Sequence, residues 1–249
     1  MKKILLFITA AVLTVSCSDD LENSGPGNGG GYVLLKKKVV TPPGAAAVTT
    51  QYNYDDNKLT TVTHSDGTNE TYTYTNNYIT EIKHYQNSSL IEKEVFTYDE
   101  IGLATHISYF YDLANPANNH ALKYNYTYTG GTVSVTKFSG DEAAQTTPAG
   151  TATLSVTIHG NITKYVSGNT TINYGFDTKS SPMREIAGYQ AITLAEFEGG
   201  ANNITTLQVN NSGTIVNTLT TYTYNPIDYP LTSTYTAANG SITSTAYSY

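Results

Sequence analysis

Apolar and polar positions alternate with a period of two through most of this chain. In Gln51-Tyr52-Asn53-Tyr54 the alternation sets both tyrosines on one face of a strand and the amides on the other. Asp55-Asp56-Asn57-Lys58 then reads as a polar turn, and Leu59-Thr60-Thr61-Val62 opens a return strand. The hairpin recurs. Tyr74-Thr75-Asn76-Asn77-Tyr78-Ile79-Thr80-Glu81-Ile82 repeats the order of aromatic residue, polar turn, and apolar-Thr-x-apolar. The return signature continues at Ala104–Ile107, Ile162–Tyr165, Met183–Ile186 and Ile204–Leu207, with a degraded copy at Leu231–Thr234 and another at Val133–Thr136. Ahead of the turns, Tyr72/Tyr74, Phe96/Tyr98, Tyr126/Tyr128, Tyr174/Phe176 and Tyr222/Tyr224 form aromatic pairs at i, i+2.

These repeats predict an all-β fold. A unit of about twenty-one residues makes one hairpin of two strands. The copies add up to a long antiparallel meander of about sixteen strands in one layer, curved or rolled into a barrel or half-barrel. Residues 32–249 form that single domain. Thr71, Thr73, Thr75, Thr221 and Thr223 occupy the alternate positions, so the face opposite the aromatics is polar and wet. One feature conflicts with a regular strand. The two apolar residues of the signature are three apart and should face opposite sides, unless the first packs under the turn or a bulge intervenes. No stretch reads as a long amphipathic helix. A turn of helix fits Asn115–His120 and Glu142–Gln145.

The start of the chain has a different grammar. Lys2 and Lys3 precede an apolar run from Ile4 to Val15, too short for an ordinary membrane-spanning helix. Ser16 stands before Cys17, the only cysteine. Residues 1–16 look like a bacterial lipoprotein signal peptide, with Thr14-Val15-Ser16-Cys17 as a loose lipobox. The resemblance implies that Cys17 is lipidated and anchors the chain in the outer membrane. Ser18-Asp19-Asp20 resembles the acidic export signal of Bacteroidota lipoproteins, which implies the outer face of that membrane; the bland alternative is an acidic linker. Residues 17–31 serve as a tether, Gly-rich from Ser24 to Gly31.

Composition narrows the chemistry. A net charge of −7 argues against nucleic acid, which needs a basic stripe. No nucleotide-binding, phosphate-binding or serine-nucleophile motif occurs, and nothing calls for a cofactor. His64 and His84 fall at equivalent places two strands apart, about 9.6 Å at ordinary strand spacing, too far for one metal without help from the strand between. They read as solvent-facing strand residues, and no metal site is expected. Asp55, Asp99 and Asp177 read as Asx-turn caps rather than calcium ligands. Glu196 and Glu198 alternate about Phe197 as on one strand; a glycosidase pair would need to flank a cleft. The tyrosines remain. Tyr72, Tyr74, Tyr126, Tyr128, Tyr222 and Tyr224 are the candidate ligand face, able to stack on a glycan or lie against a surface protein; the same rows can equally be the sheet's own packing layer.

A family likeness rests on these same stretches. Tyr98-Asp99-Glu100-Ile101-Gly102 and Tyr54-Asp55-Asp56-Asn57 resemble the YD, or Rhs, repeat. Tyr174-Gly175-Phe176-Asp177 through Pro182-Met183, Asn202-Asn203-Ile204-Thr205, Tyr222-Thr223-Tyr224-Asn225 and Tyr229-Pro230-Leu231 resemble a group of Bacteroidota lipoproteins of unknown function described as having a porin-like fold. That likeness implies a long, curved or rolled antiparallel sheet and brings no activity with it. Three functions follow as expectations. The first is a non-enzymatic surface lipoprotein whose sheet binds a glycan or a protein. The second is an outer-membrane β-barrel, favoured by the terminal Ala246-Tyr247-Ser248-Tyr249. The third is a glycan-processing enzyme. Function is expected where the repeat breaks, near Asn115 and Asp141, or on the tyrosine face.

Overall fold

The computed structural model describes residues 31–249; the leader, Cys17 and the export signal Ser18, Asp19 and Asp20 lie outside the described residues. The strands are β1 (Lys37–Thr41), β2 (Val48–Asp55), β3 (Lys58–His64), β4 (Thr68–Thr75), β5 (Tyr78–Gln86), β6 (Ser89–Tyr98), β7 (Leu103–Phe110) and β8 (His120–Thr129). There follow β9 (Thr132–Gly140), β10 (Gln145–Val156), β11 (Ile162–Ser167), β12 (Thr170–Ser180), β13 (Asn202–Asn211), β14 (Thr214–Tyr224), β15 (Pro230–Thr236) and β16 (Ile242–Ser248). Each pairs antiparallel with its sequence neighbours, and β1 pairs with β16. The meander is therefore a closed barrel rather than an open curved sheet.

A bulge resolves the conflict in the repeat. Asn53 pairs with Thr61 but Tyr54 pairs with Leu59, so Thr60 is one residue too many. The extra residue resets the alternation, and both Leu59 and Val62 turn into the lumen, 0% and 3% exposed. The same shift follows Thr73, Thr97, Ser155, Gly175 and Thr223. It moves two of the expected signatures by one residue. Leu103 and His106 are the inward pair of β7, not Ala104 and Ile107. Pro230 and Ser233 are the inward pair of β15, not Leu231 and Thr234. Val133–Thr136 lies in β9 without a bulge. Met183–Ile186 is not a strand at all.

That last segment belongs to the β12–β13 connection, the largest departure from the repeat. Backbone and side-chain bonds tie it to the β2–β3 turn: Ala187 N–H donates to Asn57 O (3.0 Å), and the Asn57 amide donates to Glu185 O (3.0 Å). β4 and β12 stand half-way round the ring from each other, so the segment spans the mouth of the barrel. Gly188 then abuts the opposite wall. Its φ is 70°, and a Cβ there would sit 2.9 Å from both Asn77 O and Ile79 N. From it, helix α1 (Tyr189–Glu196) runs back through the lumen. Ala191, Leu194 and Ala195 pack on Ile79, Phe96, Leu103, Tyr124 and Leu154 in the main core. A smaller core gathers Leu35, Tyr52, Leu59, Val62 and Ile186 beneath β1–β3.

The outer wall is mostly polar, with apolar exceptions on β14 and β16 at Ile215, Leu219 and Ile242, 55%, 48% and 51% exposed. Thr97, Thr105, Asn125, Thr136 and Thr151 form one cross-strand row; Asn53, Thr61, Thr71, Lys83 and Lys93 form another. Glu81 and Lys123 bracket the outward Val95 and Ile107. Stability thus comes from inside. Leu59→Ala should cost about 2–5 kcal/mol in urea unfolding, whereas Thr61→Ala, on the outer wall two residues on, should stay within about 0.5 kcal/mol.

Candidate functional site

The lumen is built in tiers. The lowest is a row of tyrosines at the bulged end; Tyr54, Tyr74, Tyr98 and Tyr128 are each the last inward residue of their strand, and Tyr222 is the last but one, before Tyr224. Tyr54 donates to Leu35 O (2.7 Å), Tyr98 to Ile79 O (2.7 Å), Tyr128 to Leu103 O (2.9 Å) and Tyr222 to Ile204 O (3.0 Å), while Tyr74 accepts from Leu59 N–H (3.1 Å). In most of these the ring reaches back to the first apolar residue of the preceding signature, beside the bulge. Burial pushes the Tyr74 and Tyr128 phenols up to about 12, so both keep their protons at neutral pH.

Above the tyrosines and the apolar tier runs a charged belt along β1–β7. Lys38 and Thr50 lead to His64, Glu70, His84, Glu94 and His106. Thr50 Oγ1 lies 3.0 Å from His64 Nδ1. Glu70 sits 3.7 Å from both His64 and His84 and accepts a short hydrogen bond from Tyr72. Glu94 bridges His84 (2.8 Å) and His106 (2.6 Å). The His106 ring is stacked between Phe96 and Tyr124, at 4.8 and 5.4 Å.

The belt fixes charge states. Burial alone would raise Glu94; hydrogen bonds from His106 and His84 outweigh it and hold the carboxyl at about 2. Glu70 is likewise held well below its ordinary value, against burial, by His64, His84 and Tyr72. For His84, burial opposes the charge, but Glu70 and Glu94 prevail and raise it to about 10. Burial pulls Lys38 down, against the attraction of Glu70 and Glu196.

Glu196 and Glu198 behave differently. Both remain exposed to water although the barrel surrounds them. Burial and then the carboxylates of Glu94, Glu198 and Glu70 push Glu196 up; burial pushes Glu198 up. They share a lumenal cavity of about 340 Å³ with Tyr189, Asn202, Tyr222 and Tyr235. They do not alternate on a strand: Glu196 ends α1, Phe197 has a left-handed backbone (φ 60°), and Glu198 N–H closes the helix on Thr193 O. A second cavity of about 470 Å³ opens at the mouth, between Tyr78, Ile101, Tyr128, Met183 and Arg184.

The other expected site residues are relocated. Tyr72, Tyr74, Tyr126, Tyr128, Tyr222 and Tyr224 face inward rather than outward; all but Tyr126, whose buried hydroxyl has no partner, make hydrogen bonds, and Tyr222 also lines the cavity beside Glu196 and Glu198. Inward orientation follows from the side that the bulges bury. His64 and His84 also face the lumen rather than solvent. Their spacing was visible in the chain; the partners Glu70 and Glu94, on the adjacent strands, were not. Among the described residues no group of three or more His, Cys, Asp or Glu is arranged to hold a metal ion. Asp99 caps Ile101 and Gly102 N–H as an Asx turn. Asp177 does more, accepting from Lys179 and Asn203 N–H, the Asn203 amide and the Tyr224 hydroxyl, so that it ties three strands together. The connections at Asn115 and Asp141 are closed turns capped by Asp112 and Asp141.

No protein-family model matches the chain, so the YD/Rhs likeness has no such support, and no curated protein matches it. Among solved structures, the chain is similar to a porin-like protein from Bacteroides vulgatus ATCC 8482, with a TM-score of 0.58 and 10% identity over 87% of this chain and 98% of that one. The likeness shows the fold. This is a porin-like barrel of sixteen antiparallel strands, the architecture that outer-membrane barrels use.

The belt predicts a two-sided pH profile. Folded His84 keeps its proton to about 10 against 6.5 unperturbed, so its contribution is complete below pH 6.5 and lost as pH climbs toward 10. Folded Glu94 stays ionised to about 2 against 4.5 unperturbed, so its contribution is complete above pH 4.5 and lost as pH falls toward 2. Urea midpoints should peak between those limits, and His84→Gln should flatten the alkaline limb.

Proposed function

We propose that this chain is a non-enzymatic lipoprotein of the outer membrane, whose barrel binds a ligand and conducts nothing. Cys17 is its anchor, the Ser18-Asp19-Asp20 segment directs it to the outer face, and the barrel stands in water. The observation that supports this best is the polarity of the wall. A membrane-inserted barrel presents an apolar band about 25 Å tall to lipid and keeps a polar interior. Here most aromatic residues face inward around α1, and the outward rows are largely Thr, Asn, Lys and Glu, interrupted by Val95 and Ile107 and by the exposed Ile215, Leu219 and Ile242 rather than joined into an apolar band. The plug also favours binding over conduction, because α1 and the segment before it occupy the lumen and mouth.

The ligand site is the cavity beside α1. Water-exposed carboxylates of Glu196 and Glu198, the Asn202 amide and the rings of Tyr222 and Tyr235 suit a hydroxyl-rich ligand, hence a glycan. Both carboxylates come from one turn of chain, on one side of the cavity, while Glu70 and Glu94 are engaged by histidines; this favours binding over hydrolysis. A second reading, a barrel inserted in the membrane, draws support from the closed sixteen-strand sheet and the porin-like likeness. Two measurements separate them. After proteolysis in the tether, between Ser24 and Gly31, the released barrel should stay in the aqueous phase of a detergent partition. Planar bilayers exposed to the protein should show no conductance steps. Partition into detergent, or steps, would establish the inserted barrel instead.

A further inference from the structure

The even-to-odd connections, β2–β3 through β14–β15, all lie at the plugged end of the barrel. Their tips carry large apolar side chains pointing into solvent. Ile158 is 97% exposed, Ile101 72%, Ile227 58% and Tyr78 54%. At the opposite end, among the described residues, Leu113 (57%) is the one such side chain in a loop; Ile242 (51%) opens its strand as Tyr78 opens β5, and Ile215 (55%) lies one residue into β14, so the contrast rests on Ile101, Ile158 and Ile227 against Leu113.

Turn chemistry does not account for these residues. The Ile101 turn is held by Asp99 and Gly102, and the Ile227 turn by Asn225, which accepts from Ile227 and Tyr229 N–H. The Ile158 turn closes through Thr157, Gly160 and Asn161. In each case the polar neighbours fix the backbone, and the isoleucine is simply projected outward. Scattered single exposures are ordinary; several rigid tips on one end are a surface.

The chain itself says what lies against that end. Leu35 is buried beneath β2 and β3, with Tyr54 bonded to its carbonyl, so the described chain enters the barrel at this end. The stretch from Cys17 to Tyr32 is short enough to hold this end within about 50 Å of its anchor when fully extended. Asp56, Asp99, Glu100 and Asp228 share the surface with Lys58 and Arg184, which disfavours an anionic bilayer and suits a zwitterionic one.

We propose that the plugged end is a membrane-contacting surface: the tips Tyr78, Ile101, Ile158 and Ile227 enter the headgroup region and set the barrel upright, with its opposite end outward. This rests on Cys17 as the anchor. The test uses the full chain purified from membranes and reconstituted on phosphatidylcholine vesicles containing nitroxide-labelled lipid. An environment-sensitive fluorophore is placed on Ile158→Cys, Ile101→Cys or Leu113→Cys, and the mass of the N-terminal peptide reports acylation separately. The expected result is loss of fluorescence at positions 158 and 101 and none at 113. Acylated protein with all three positions unquenched, or quenched equally, overturns the proposal and leaves the anchor standing. Unacylated protein whose tips are still quenched removes the anchor and supports the surface. Unacylated and unquenched protein defeats both. Tips shielded by a co-purifying protein and not by lipid overturn it as well.

Discussion

The structure depends on one repeated irregularity, the extra residue in each bulged return strand. Without it, Leu59 and Val62 would point to opposite sides, and so would Ile79 and Ile82. With it, both members of each pair enter the lumen, and the outer wall is left mainly to Thr, Asn and charged residues, broken by Val95, Ile107, Ile215, Leu219 and Ile242. A tyrosine of the strand that follows is matched to the bulge, because its hydroxyl bonds the backbone of the first apolar residue beside the irregularity. A chain poor in aliphatics thereby packs a core inside a single closed sheet.

That arrangement separates fold from setting. Sixteen antiparallel strands closed in sequence order are an architecture that outer-membrane barrels use, yet here most of the aromatic residues are inside and no continuous apolar band surrounds the wall. The interior can be apolar because the β12–β13 connection fills it. Gly188 lets the connection touch the far wall, and Gly200, with φ 151° and Asn161 Oδ1 only 2.3 Å from where a Cβ would sit, lets it return to β13. Interior charge lies in the belt, in Glu92 and Lys137 beside it, and in Glu196 and Glu198.

Much of this was legible in the chain. Period-two alternation and recurring turns carry the strand number and the meander, since neither depends on distant contacts. The one-residue errors at Ala104 and Leu231 arose because Ala and Leu beside a bulge are apolar, and only pairing shows which neighbour is inward. Met183–Ile186 matched the signature by coincidence of composition. Helix α1 gave no periodic signal in eight residues. It is helical because the surrounding barrel buries Ala191, Leu194 and Ala195. The tyrosines stayed divided between a packing layer and a ligand face because alternation alone does not say which side is core. The belt was half visible, in the spacing of His64 and His84; Glu70 and Glu94 join it through cross-strand register, which the bulges set.

The most direct test of a water-facing wall is cysteine accessibility around the barrel's equator. Thr61, Thr73, Thr105, Asn125, Thr153 and Thr221 would each be replaced by cysteine in the acylated, membrane-bound protein and treated with a membrane-impermeant maleimide. Labelling at every position is the predicted result. A continuous protected belt across these strands would show lipid against the wall and contradict it.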